Sequence, residues 1–336
     1  MHRTRTLIQR MTRAVPATLI GVAAAFTAAF APAVSQAAYP EHSINLIIGY
    51  SPGGGTDMIA RVMAPYIEKY LGNDAKIVVH NRPGAGGAIG FMAVANAAPD
   101  GYTIGFINTP NVLTIPIERK ATFTWESFDL LGNVIDDPGN FSVHADSPIR
   151  NLGELAAYAR AHPGDVTVGT TGIGSDDHLA MLMFEQAAGV KLNHVPFKGA
   201  SAVHGAIASK QITVAAMNVG EALQYAKGGT PLRNLGQMST ARTTLAPELA
   251  TFKEQGIDIV LASLRGIAAP KGLPAPVREQ LVRAIERAAA DPGFQAQAAN
   301  YFAPLRYLPP TKYEAELRGA EAEFKQLWKE LPWGEK

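Results

Sequence analysis

Apolar positions between residues 44 and 108 switch repeatedly between two periods. Ile44-Asn45-Leu46-Ile47-Ile48-Gly49-Tyr50 reads as a strand. After a glycine-rich loop, Ile59, Val62, Met63, Tyr66, Ile67, Tyr70 and Leu71 recur at helical spacing, and Gly72 stands where that helix would end. Ile77–His80 returns to strand, Ile89–Asn96 to helix and Tyr102–Asn108 to strand. This βαβαβ rhythm predicts a parallel sheet covered by helices, because parallel neighbours need crossover connections.

A loop-rich stretch around Asp137-Pro138 precedes a second, similar series. Strands are predicted at 141–144, 165–170, 192–196, 212–217 and 232–238, with helices at 152–161, 178–188, 200–209 and 220–227 between them. Near 260–268 the chain enters a last section. There Pro274 and Pro276 introduce a helix whose face carries Val277, Leu281, Ile285 and Ala288. Thr311 and Glu314 form a capping-box pattern that would open a final helix.

The first 40 residues follow neither period. Arg3, Arg5, Arg10 and Arg13 precede any acid, the stretch Ala14–Pro40 is uncharged and rich in Ala, and Ser35-Gln36-Ala37 is a small-x-small exit. Together these read as a secretory signal peptide over residues 1–37. An uncleaved membrane anchor is the competing reading, disfavoured by the alanines, by Pro16 and Pro32 and by the cleavage site. Cleavage after Ala37 leaves 299 residues of net charge −3, since all four arginines leave with the peptide. That length suggests two domains.

Composition narrows the function. Lys plus Arg (30) nearly balances Asp plus Glu (29), which argues against nucleic acid as a partner. Cysteine is absent, which removes disulfide scaffolds, thiol catalysis and Cys-ligated metals.

Two loops carry candidate chemistry. Tyr50-Ser51-Pro52-Gly53-Gly54-Gly55-Thr56-Asp57 lies between a predicted strand and a helix. Its glycines free backbone N–H groups to converge, and the helix N-terminus adds its own unpaired donors and dipole, an arrangement suited to a carboxylate. A turn capped by Thr56 or Asp57 is the plainer reading, but three consecutive glycines cost backbone entropy and favour a ligand role. Asp57, itself anionic, fits a capping role better. Gly172-Ile173-Gly174-Ser175-Asp176-Asp177-His178 repeats the logic in the second series. There Ser175 and His178 either bond a ligand or are an N-cap serine and a surface histidine. Lys198 would neutralise a ligand carboxylate or be a solvated surface charge.

Enzyme motifs are weaker. Gly84–Gly90 has Ile89 where a dinucleotide fingerprint needs its third glycine, and the chain has no G-x-x-x-x-G-K-[ST], G-x-S-x-G or H-E-x-x-H. The eight histidines include no i, i+4 pair, and Asp137, Asp176 and Asp177 read as carboxylates in solvated loops. An exported two-lobed α/β hydrolase or lyase using Ser175 and His178 remains the alternative function, and an interaction protein with a vestigial cleft is a third.

Several segments in order resemble one family: Tyr39-Pro40; Gly53–Asp57 with Ala60-Arg61; Asn81-Arg82-Pro83-Gly84-Ala85-Gly86-Gly87; Ala98-Pro99-Asp100-Gly101-Tyr102-Thr103; Gly174-Ser175 with His178-Leu179-Ala180; Val195-Pro196-Phe197-Lys198-Gly199; and Ala269-Pro270. Over essentially its whole mature length the chain is similar to the substrate-binding receptors of tripartite tricarboxylate transporters, the Bug receptors. The resemblance implies an α/β periplasmic binding protein of type II, with a Venus-flytrap cleft between lobe 1 (39–138 plus 263–336) and lobe 2 (139–262). It implies a periplasmic, monomeric receptor without cofactor or metal that captures a small organic acid. Its partner would be a two-subunit membrane permease, which many members lack nearby. By position it assigns ligand binding to Tyr50, Pro52, Gly53, Gly54, Gly55, Thr56 and Asp57, to Gly174, Ser175 and His178, and at the cleft edge to Lys198 and Asn218. Two departures stand out. Asp176-Asp177 replaces small or neutral residues, leaving room for a monoacid, an amide or a zwitterion, and Leu264-Arg265-Gly266 stands where an aromatic residue is usual.

Overall fold

A computed structural model describes residues 39–334, so the expected signal peptide lies outside the described residues. The chain runs β1 (Ile44–Ile48), α1 (Gly55–Leu71), β2 (Ile77–Asn81), α2 (Ala88–Ala95), β3 (Thr103–Asn108), α3 (Asn111–Glu118) and the long strand β4 (Phe128–His144). It continues through α4 (Leu152–Ala161), β5 (Thr167–Thr170), α5 (Asp176–Ala188), β6 (Asn193–Pro196), α6 (Ala200–Ala208), β7 (Val214–Asn218), α7 (Val219–Lys227) and β8 (Leu232–Gln237). It ends with β9 (Ala262–Pro270), α8 (Ala275–Ala290), α9 (Pro292–Asn300), β10 (Leu305–Leu308) and α10 (Pro310–Glu330).

The strands form one curled, mixed sheet in the order β2-β1-β3-β9-β4-β7-β5-β6, with β8 and β10 added to β4. The predicted parallel blocks exist: β2, β1 and β3 are parallel, as are β6, β5 and β7. Between them run β9 and β4, each antiparallel to its neighbours. The purely parallel expectation is corrected there, because these strands carry the chain between the two blocks rather than completing a crossover unit.

The core is correspondingly divided. One apolar cluster gathers Ile44, Leu46 and Ile48 of β1, Phe91 of α2, Phe106 of β3, Leu281 and Ile285 of α8, and Tyr313 and Leu317 of α10. Another collects Phe141, Leu152, Leu155, Val168, Phe184 and Phe252, with Val203, Ile207 and Met217 as a satellite under α6. Each cluster fills the face of one parallel block, so each block has its own core and the fold has two lobes.

β4 belongs to both, with Leu130, Leu131, Val134 and Ile135 in the first cluster and Phe141 and Val143 in the second, while β9 lies beside it in the first. The N-terminal part of β4 pairs with β9 as far as Pro138↔Ala262, after which Gly139–Ser142 pairs with β7. The predicted loop around Asp137-Pro138 is therefore strand. Polar residues interrupt its apolar pattern because that part of the strand passes between the two cores rather than over either. The expected capping box at Thr311 is also corrected: α10 begins at Pro310 with Pro309 as its N-cap, so Thr311 is already helical.

Candidate ligand-binding site

The loop after β1 and the loop after β5 both end at helix N-termini and face each other across the gap between the blocks. Gly54 is the N-cap of α1, with φ −80° and ψ 167°, and makes no side-chain cap. Asp57 does the capping from inside the first turn. One of its oxygens accepts the Gly53 N–H at 2.9 Å, and Arg61 and Asn81 hold the carboxylate from the other side. Burial would raise its pKa, but these hydrogen bonds outweigh burial and hold it below the usual carboxylate range.

In the second loop Ser175 is the N-cap of α5 and accepts the His178 N–H at 3.2 Å. His178 is buried, not on the surface. Its Nδ1 accepts the Gly174 N–H, and its ring stacks on His194 with centroids 4.0 Å apart. Burial, and then the neighbouring His194, lower the His178 pKa to about 3, and burial lowers that of His194 to about 4, so both rings are neutral at pH 7.

The three acids expected in solvated loops are buried instead. Asp137, Asp176 and Asp177 are each at most 4% exposed. Asp137 meets Arg265 of β9 at 3.3 Å and accepts the Gly220 N–H. Asp176 accepts from Asn218 Nδ2 at 2.7 Å, and Asp177 accepts from Thr171. Burial raises the Asp137 pKa to about 7 against the opposing pull of Arg265. It raises that of Asp176 to about 6 against the Asn218 hydrogen bond, and raises Asp177 as well.

Arg265 ties this cluster together. Its Nη2 donates to Asn218 Oδ1 at 2.9 Å and lies 3.1 Å from Glu221 Oε1. That same oxygen accepts the Gly55 N–H at 3.0 Å. A side chain of the second block thus occupies the anion position at the start of α1. Glu221 can reach it because Asn218 and Glu221 form the capping box of α7.

Between these groups lies a cavity of about 20 Å³, room for about one water. Tyr50, Gly54, Gly55, Thr56 and Asn218, all singled out from the sequence, line it together with Asp176, Glu221 and Arg265. Three buried polar atoms on lining residues have no partner: Asn108 Oδ1, Asn111 Nδ2 and Arg265 Nε. Pro52 and Gly53 lie at the exposed rim, where Gly53 O accepts from Tyr225. Asp57, Gly174, Ser175 and His178 lie behind the two loops and hold them in shape. Lys198 borders a separate groove of about 400 Å³, opposite Gly86 and Arg119.

Sequence reasoning passed over Glu221, Asn108 and Asn111. The spacing Asn218-x-x-Glu221 was available as a helix-start signal. Asn108 ends a parallel strand, where ligand crevices of α/β sheets open.

The two blocks are closed on one another. Ser51 N donates to Lys198 O at 3.0 Å, and Thr114 Oγ1 donates to Gly174 O at 2.6 Å. Among the described residues no group of three His, Asp or Glu side chains is placed to hold a metal ion, and no helix is long and apolar enough to cross a membrane.

Residues 59–304 match the family model described as tripartite tricarboxylate transporter family receptor. A Cupriavidus necator protein, named for its place in the gbd 5' region, is 34% identical over 300 residues, which are 87% of this chain and 90% of that protein. The structure of the periplasmic binding protein BugD is 30% identical, covers 89% of this chain and all of its own, and superposes with a TM-score of 0.83. Rhodopseudomonas palustris MatC with bound malate shares the fold at 22% identity, with a TM-score of 0.80 over 86% of this chain and 99% of its own. The Ser175–His178 pair belongs to a helix cap rather than to a hydrolase or lyase, and the matched family is one of receptors rather than of enzymes. This chain belongs to the tripartite tricarboxylate transporter receptor family, the Bug solute-binding receptors.

Proposed function

We propose that this receptor captures a small carboxylate-bearing solute between the two loops, where parting of the blocks widens the closed cavity, in the periplasm, after removal of residues 1–37 as a signal peptide. The observation that carries the reading is the set of unpartnered atoms on Asn108, Asn111 and Arg265. Buried polar groups without partners are costly, and three of them belong to residues lining one cavity, which a site complementary to a polar ligand requires. A carboxylate would accept from Asn111 Nδ2 and Arg265 Nε, next to the positive end of α1.

Lobe 1 (39–138 plus 263–336) and lobe 2 (139–262) would open about the two crossing strands, and ligand would select the closed form. Tyr50, Gly54, Gly55, Thr56 and Asn218 would touch the ligand. Asp57, Gly174, Ser175 and His178 would shape the loops, and Pro52, Gly53 and Lys198 would form the rim of the mouth. The monomeric closed receptor would deliver its solute to a two-subunit membrane permease. The test is a thermal-shift screen of residues 38–336 against mono-, di- and tricarboxylates, amino acids and amides. Saturating ligand at about a hundredfold over Kd adds about 2.7 kcal/mol, a readily measured shift. A shift confined to carboxylate-bearing compounds supports the reading, and a folded protein that responds to none of them refutes it.

A further inference from the structure

The groups walling the cavity are unevenly charged. Two of the lining groups are carboxylates, Asp176 on α5 and Glu221 on α7, against one guanidinium, Arg265 on β9, and the Tyr50 hydroxyl; Asp137 and Asp177 are buried but do not line the cavity. Among the described residues Arg265 is the one buried Lys or Arg. Its charge is already committed: Nη2 is shared by Asp137, Asn218 and Glu221. Asp176 faces the cavity, hydrogen-bonded by the neutral Asn218 amide and by its own backbone N–H, and Glu221 faces the cavity beside it. A second anionic group on the ligand would meet these two carboxylates in a site walled from solvent. The unpartnered atoms agree, because they include an acceptor, Asn108 Oδ1, as well as the donors Asn111 Nδ2 and Arg265 Nε. A dicarboxylate without a hydroxyl has nothing to donate to that acceptor.

We infer that the solute is a zwitterion, carrying a protonated amine that Asp176, Glu221 and Asn108 receive, in addition to the carboxylate held by Asn111 and Arg265. This inference rests on the receptor reading above and narrows its ligand class. The ammonium supplies the missing positive charge and the missing donor together. Burial raises the pKa of Asp176 to about 6 despite the pull of Asn218 and Arg265, so a cation beside it would favour its ionised form.

The experiment is calorimetric titration of residues 38–336 at pH 7.5 with pairs that differ only in replacing one carboxylate by an ammonium: malonate with glycine, succinate with β-alanine, glutarate with 4-aminobutyrate. Succinamate serves as the neutral amide. The amino acid of at least one pair should bind about tenfold or more tighter than its dicarboxylate and than succinamate. Asp176→Asn should shrink that preference about tenfold while the folded far-UV spectrum persists. A dicarboxylate or succinamate that binds more tightly overturns the zwitterion and leaves the receptor standing. A folded protein that binds no compound of any pair overturns both.

Discussion

Glu221 and Gly55 belong to opposite blocks of the molecule, yet a Glu221 carboxylate oxygen accepts the Gly55 N–H at 3.0 Å, at the first turn of α1. A helix N-terminus favours an anion, and here the protein supplies one of its own. Closure is thereby held partly by internal contacts. A ligand entering the small cavity has to share the start of α1 with Glu221 or move it aside.

Because Gly55 lies under that contact, a side chain there has no room. A Cβ there would run into Arg265 and Glu221, whereas a Cβ on Gly54 would meet nothing nearer than 3.6 Å. Gly55→Ala should therefore weaken ligand binding by about tenfold or more. Gly54→Ala should change stability by no more than about 1 kcal/mol, the scale of an N-cap change. Parallel melting and binding curves of the two variants check this. The difference arises because Gly55, not Gly54, faces the Arg265–Glu221 pair.

Removing the guanidinium should be expensive. Arg265→Met leaves Asp137 and Glu221 buried without their cation, a change expected to cost about 3–5 kcal/mol. Urea denaturation measures it. A loss below about 1 kcal/mol would show that these carboxylates are not held ionised by Arg265.

The buried acids also set the dependence on pH. A carboxyl whose pKa is raised by folding favours the folded state when protonated, so its contribution is lost as pH rises through the folded value, about 7 for Asp137 and about 6 for Asp176. His178 and His194 have the opposite sign. Lowered to about 3 and about 4 from 6.5, they reduce stability as pH falls below 6.5. Ligand-free protein should grow more stable from pH 8 to about 6.5 and flatten below that, where the two effects oppose. Asp137→Asn should remove much of the upper slope in denaturation midpoints taken across this range. An unchanged slope would assign it to other groups.

Ser175 offers a check on the second loop. Its hydroxyl caps α5 through the His178 amide, and it does not line the cavity. Ser175→Ala should cost about 1 kcal/mol of stability and leave ligand affinity within about threefold. A large loss of affinity at unchanged stability would place Ser175 in contact with the ligand.

Much of the fold was legible because its signals are local. The helices at 152–161 and 275–290 follow from apolar spacing and from prolines at a helix start, and the two glycine loops from their place between strand and helix. The crossing strands were not. Asp136, Asp137 and Pro138 look like a turn in isolation, and only pairing with Ala262–Leu264 makes them strand. The same limit hid the charged cluster. Asp137, Asp176, Glu221 and Arg265 are far apart in sequence, and each alone reads as a solvated charge until the sheet order brings β4, β9 and the starts of α5 and α7 together.

The central claim is that the unpartnered atoms at the cavity exist to meet a ligand, and Asn111→Leu tests it most directly. Replacing a buried, unpartnered amide by an apolar side chain of similar size should leave the protein as stable as before or more so. Calorimetric titration with the compound giving the largest thermal shift should then show affinity reduced by about tenfold or more. Wild-type affinity in a stable Asn111→Leu protein would contradict the account, because the site would then lie elsewhere.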